Sequence, residues 1–165
     1  SREHGKMPDL ESAYPESTGS PGLALWQATN AWQRQIRAAL VPHELTHVQF
    51  VLLASLTWMD RSAPVTQRKL AEFAGTDIMM TSQVIRTLEA MGHVTRNPHP
   101  SDKRAVMVAP TPEGIALANR ANIDVEAADS NYFGSLAPEE LAAFTRSLHQ
   151  LRMRASSTEN RTADN

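Results

Sequence analysis

Residues 43–47 read His43-Glu44-Leu45-Thr46-His47, a literal H-E-x-x-H. On a helix this spacing stacks two imidazoles on one face, where they hold zinc while the glutamate serves as general base for hydrolysis. The neighbouring residues argue against that chemistry. Pro42 precedes the motif, and Thr46 followed by Gln49 is a capping box, so a helix begins inside the motif and His43 lies ahead of it. The i, i+4 geometry is then lost. The longer protease form also needs glycine and histidine where Phe50 and Leu53 stand. A softer alternative keeps His43 and His47 as a regulatory zinc site completed by His149 or a carboxylate. The chain has no cysteine, which excludes disulfides, thiol catalysis and thiolate zinc sites.

A second set of side chains suits nucleic acid. Residues 61–104 hold Arg61, Arg68, Lys69, Arg86, Arg96, Lys103 and Arg104 against Glu72, Asp77, Glu89 and Asp102, a net +3. The rest of the chain has 9 basic and 14 acidic residues, a net −5. The overall charge of −2 therefore conceals a cationic segment on an anionic frame, which is what attraction to phosphate at one surface requires.

The elements that must position these groups are mostly helical. Leu25, Thr29, Trp32, Ile36 and Leu40 recur every three to four residues and stop at Pro42; Phe50, Leu53 and Leu56 continue a second helix from the Thr46 cap. Thr66 caps a short third helix stopped by Gly75, and Asp77 caps a fourth, Ile78 to Met91, stopped by Gly92. Two helices joined by a short glycine-bearing turn form a helix-turn-helix. Residues 93–97 and 104–109 read as a hairpin, a wing, and Thr111-Pro112 opens a long helix to about Phe133. A last helix after Pro138 spaces Leu141, Phe144, Leu148 and Leu151 as a seam that normally needs a partner helix, so a homodimer is expected.

In the fourth helix Thr81, Val84, Ile85 and Leu88 form the inward stripe. Met79, Met80, Ser82, Gln83 and Arg86 are left on other faces as candidates for the major groove, although the two methionines suit packing on the preceding helix equally well. Gln83 offers a bidentate pair to adenine, Arg86 a guanine or phosphate contact, and a methionine can touch a thymine methyl.

Leu45-Thr46-His47-Val48-Gln49-Phe50, Gln67-Arg68-Lys69-Leu70-Ala71, the run from Thr87 to Arg96, Ser101-Asp102-Lys103-Arg104 and Thr111-Pro112-Glu113-Gly114 occur in this order. Together they resemble the MarR family of winged-helix transcription factors over about residues 23–154. The resemblance implies a mainly α fold, a homodimer on a pseudo-palindromic operator in double-stranded DNA, and a regulator, most often a repressor, rather than an enzyme. It implies a basic wing side chain in the minor groove and an Asp-Arg pair beneath it. Here Lys103 stands where many relatives carry Arg, so Asp102 is expected to hold Arg104, with Lys103 as the groove contact. Arg68 and, at the wing tip, His99 complete the DNA-contact candidates.

The resemblance also places a small-molecule effector between dimerisation helices and reading unit. Trp26, Trp32, Arg34, Arg37, His43, His47 and Phe50 lie around that region. An aromatic wall with a cation suits a small aromatic acid, while the tryptophans suit a dimer core equally. No cofactor is required. The expected organisation is an arm over 1–21, a dimerisation region from 22–45 and 112–155, a winged helix-turn-helix over 46–111 and a tail over 156–165. The longest apolar stretch, Phe50 to Met59, is about half a membrane span, and with no leader-like start the expected location is the cytoplasm.

Overall fold

The computed structural model describes residues 9–163. The first eight residues of the expected arm and the end of the expected tail lie outside them. Residues 9–20 are almost wholly exposed and contain only a 3-10 turn, Ser17–Gly19. Six α-helices follow: α1 Pro21–Leu40, α2 His47–Trp58, α3 Gln67–Ala74, α4 Ile78–Ala90, α5 Pro112–Phe133 and α6 Pro138–Ala163. Three strands, β1 Val65–Thr66, β2 Val94–Pro98 and β3 Val106–Pro110, form an antiparallel sheet in the order β1-β3-β2. The mainly α, winged helix-turn-helix architecture read from the sequence is therefore present.

Local chemistry sets the boundaries. A helix start leaves backbone N–H groups without intrahelical partners, and a short polar side chain just ahead of it satisfies one of them. Thr66, Asp77 and Thr111 accept from the N–H of Lys69, Met80 and Gly114 at 3.2, 2.9 and 3.0 Å. Thr46 and Gln49 exchange both bonds of the capping box. Gly75 ends α3 at φ 71°, a left-handed conformation that glycine adopts without strain.

The core is built on α2, whose Leu52, Leu53 and Leu56 are fully buried against Ile36 and Leu40 of α1, Leu70 of α3 and Ile85 and Leu88 of α4. The sequence reading did not include β1. Its two residues pair with Val108 and Met107 of β3, whose other edge holds β2 with Arg96 opposite Val108. The start of α5 is latched to the α4–β2 turn. Thr111 donates its N–H to the His93 carbonyl at 3.0 Å and its hydroxyl to the Gly92 carbonyl at 2.7 Å. At Gly114 a Cβ would sit 2.0 Å from the His93 oxygen, so only glycine permits this approach.

Helix α6 corrects one expectation. Residues 156–163, read as a tail, continue the helix, because neither Gly nor Pro interrupts the chain after Pro138. Phe144, Leu148 and Leu151 of its seam are exposed. Arg152 reaches back to donate to the carbonyls of Glu72 and Phe73, capping the C-terminal turn of α3 beside Gly75.

Candidate nucleic-acid interface and inter-helix cavity

Helix α4 divides cleanly into two faces. Thr81, Ile85 and Leu88 are buried and Val84 is half-buried. Thr81 satisfies its hydroxyl through the Asp77 carbonyl and Thr76, each at 2.7 Å, which ties the turn to the first turn of α4. On the opposite face Gln83 and Arg86 are exposed, Met79 is 80% exposed, Met80 is marginally exposed and Ser82 half-buried. Met79 therefore does not pack on the preceding helix. Arg68 and Lys69 are exposed on α3.

The wing tip is organised by two side chains. His99 Nδ1 accepts the backbone N–H groups of Ser101 and Asp102, each at 3.2 Å. Asp102 Oδ1 accepts the backbone N–H of Arg104 at 3.0 Å, and bonds between His99 and Ala105 and between Ala105 and Asp102 close the turn. His99 thus caps the turn from within. Asp102 holds Arg104 by its backbone N–H and also faces its guanidinium, whose Nε lies 3.9 Å from Oδ1 on a side chain 96% exposed. Lys103 and Arg104 thus both extend into solvent from a braced turn.

Two of the seven basic residues in this segment are occupied internally. Arg61 Nη1 donates to the Leu56 and Thr57 carbonyls at 2.9 and 2.7 Å, closing α2. Arg96 lies 3.7 Å from Glu89, which also accepts the Arg96 backbone N–H at 3.1 Å. Arg68, Lys69, Arg86, Lys103 and Arg104 are the other five, and all are exposed.

The H-E-x-x-H residues do not share a helix face. His43 ends a 3-10 turn, Glu44 is left-handed at φ 54°, and His47 is the first residue of α2. His43 Nε2 pairs with Asp124 of α5 at 2.6 Å, and the His47 ring packs edge-on against Trp32 at 5.1 Å. Among the described residues no group of three or more His, Cys, Asp or Glu is arranged to hold a metal ion.

Trp32 and His47 instead belong to the wall of a cavity of about 580 Å³ between α1, α2 and α5, with Phe50, Trp58, Asn119 and Asp129 among its other lining residues. Trp32 donates its indole N–H to Asp129 Oδ1 at 2.7 Å, which fixes the ring. Burial and then the Arg37 guanidinium hold the His47 imidazole below its usual pKa of 6.5, with Asp129 opposing them. Of the seven effector candidates, Trp32, His47 and Phe50 line this cavity, whereas Trp26, Arg34, Arg37 and His43 do not. The sequence reading missed Asn119, Asn122, Glu126 and Asp129, although their three- and four-residue spacing on α5 marks one polar stripe.

A capped helix-turn-helix, a two-stranded wing and a cationic outer face define a winged-helix protein of the nucleic-acid-binding type. The comparisons give the particular family. The MarR family model matches residues 45–106. The chain is 46% identical over 133 residues to the uncharacterized HTH-type transcriptional regulator YdcH of Bacillus subtilis, covering 80% of this chain and 90% of that protein. It is 32% identical over 130 residues to the HTH-type transcriptional repressor Rv2887 of Mycobacterium tuberculosis, covering 79% and 91%. In fold it is similar to Bordetella bronchiseptica BpsR, whose structure concerns regulation of DNA binding by 6-hydroxynicotinic acid, with TM-score 0.76, 24% identity and coverage of 86% and 98%. The chain belongs to the MarR family of transcriptional regulators.

Proposed function

We propose that this protein is a ligand-responsive repressor, not an enzyme, that binds a pseudo-palindromic operator as a homodimer. The observation that carries the reading is the outward face of α4, where Gln83, Arg86 and Met79 stand free while the opposite face is locked into the core. In this reading Met79, Met80, Ser82, Gln83 and Arg86 meet the major groove, with Gln83 and Arg86 positioned for base edges or phosphate. Arg68 binds the backbone, and Lys103 and Arg104 enter the adjacent minor groove from a wing braced by His99 and Asp102. Half-sites lie about 10 to 10.5 base pairs apart, centre to centre.

The repressor assignment is supported by the name of the relative Rv2887. The exposed seam of α6, with exposed Trp26 and Leu25 on α1, supports dimerisation through both chain ends. Residues 22–45 and 112–155 then form the dimer frame and 46–111 the reading unit. The cavity joins α1 and α5 of the frame to α2 of the reading unit, so an occupant that prefers one relative arrangement shifts the population between DNA-competent and incompetent spacings. The ligand named for BpsR supports a small aromatic effector here.

Purified full-length protein tests this by sizing chromatography and a genomic binding selection. The reading expects a dimer that retards selected palindromic sites with strong salt dependence; a monomer, or retention without sequence enrichment, refutes it.

A further inference from the structure

We infer that the cavity between α1, α2 and α5 takes a planar aromatic cation, an arylalkylammonium or a heteroaromatic cation, in preference to an aromatic carboxylate. This rests on the effector reading above and names the ligand class of the same site. Trp32, Phe50 and Trp58 are among the lining residues, and Trp58 is 84% exposed. An indole in a cavity lining can attract a cation to its face through its quadrupole.

The charges of the wall decide the sign. Glu126 and Asp129 line the cavity one turn apart on α5, and neither Lys nor Arg is among its lining residues. Asp129 spends one oxygen on the Trp32 indole and Glu126 one on the Asn122 amide at 2.9 Å, so both carboxylates stay oriented with a second oxygen to offer. Arg37 is exposed and stands outside the wall. His47 is held toward its neutral form by burial and by Arg37, so it brings little positive charge near neutral pH. A carboxylate ligand would lie beside two like charges with no basic lining side chain to pair with. An ammonium would meet two acceptors and an aromatic face.

Three probes of one shape separate the outcomes: 2-naphthylmethylammonium, 2-naphthylmethanol and 2-naphthoate, titrated calorimetrically into the full chain at fixed ionic strength. The ammonium is expected to bind at least about tenfold more tightly than the carboxylate, with the alcohol between them. Glu126→Gln combined with Asp129→Asn should bring the three affinities together, and Glu126→Gln alone, at an exposed position, should narrow the gap. Ala54→Trp, which fills the cavity, should abolish binding of all three. Naphthoate binding as tightly as the ammonium, with Ala54→Trp blocking both, overturns the cation preference and leaves the effector site standing. No binding of any probe, or binding that survives Ala54→Trp, removes both.

Discussion

The Nδ1 atom of His99 accepts the backbone N–H of Asp102 at 3.2 Å, and the same atom accepts the N–H of Ser101. An imidazole nitrogen that accepts from backbone donors carries no proton, so the ring is the Nε2–H tautomer. His99 thereby braces the turn that projects Lys103 and Arg104. His99→Ala should weaken operator binding about fivefold, the equivalent of one lost net hydrogen bond, with the slope of affinity against salt unchanged. His99→Asn, which restores a short acceptor, should recover part of the loss. Nitrogen NMR of the ring reads the tautomer directly; an Nδ1–H tautomer would contradict the bracing role.

Gln83 and Lys103 should fail in different ways. An amide on the exposed face of α4 can read a base edge, so Gln83→Ala should flatten preference at one operator position by about 1–3 kcal/mol and spare the others. An exposed wing lysine contacts charge, so Lys103→Ala should weaken all sequences alike and reduce the salt slope by about one. Sequence selection on both variants checks this. A uniform loss for Gln83→Ala removes it from base reading.

Much of the fold was legible because its signals are local. Thr46, Thr66, Asp77 and Thr111 each cap the helix that follows them, and Gly75 and Gly92 take the positive φ values that end the preceding segments. Strand β1 was not legible, since two residues become a strand only by pairing with Val108 and Met107 some forty positions later. The division of α4 into two faces followed from periodicity. The internal use of Arg61 did not, because a guanidinium caps α2 only once the chain has turned back on itself. The effector candidates were drawn from the first two helices, so the polar stripe of α5 that lines the same cavity went unread, and with it the carboxylates that set its charge.

The depressed pKa of His47 makes stability depend on pH. Burial and Arg37 favour the neutral ring in the folded chain, so the unfolded chain binds the proton more readily. This contribution is complete above the ordinary value of 6.5 and is lost as pH falls below it toward the folded value. Thermal melts from about pH 7.5 to 5 should show the midpoint falling on the acid side, with a shallower fall for His47→Gln. Equal slopes in the two proteins would assign the acid sensitivity elsewhere.

Gly114→Ala places a methyl group 2.0 Å from the carbonyl oxygen of His93, which already accepts the N–H of Thr111. The obstacle is backbone, so relief requires α5 to back away from the α4–β2 turn. A loss of about 1–3 kcal/mol, or somewhat more, is expected for this overpacking, seen as a lower urea midpoint at unchanged m. Gly22→Ala, where a Cβ meets nothing within 4 Å, is the control and should stabilise α1 slightly.

The seam of α6 supplies the decisive test of assembly. Leu148 and Leu151 are exposed in the subunit, Leu151 to 64%, so charging them costs the isolated fold little. In a dimer built on this seam the same carboxylates would be buried without partners, which is strongly unfavourable. Leu148→Glu with Leu151→Glu should therefore convert the dimer to a folded monomer on a sizing column, with secondary structure intact. Operator affinity should drop by about 100-fold or more, because two half-sites are no longer engaged by one linked molecule. A variant that remains dimeric would place the interface on another surface, and one that turns monomeric yet binds a full operator unchanged would show that dimerisation does not support recognition.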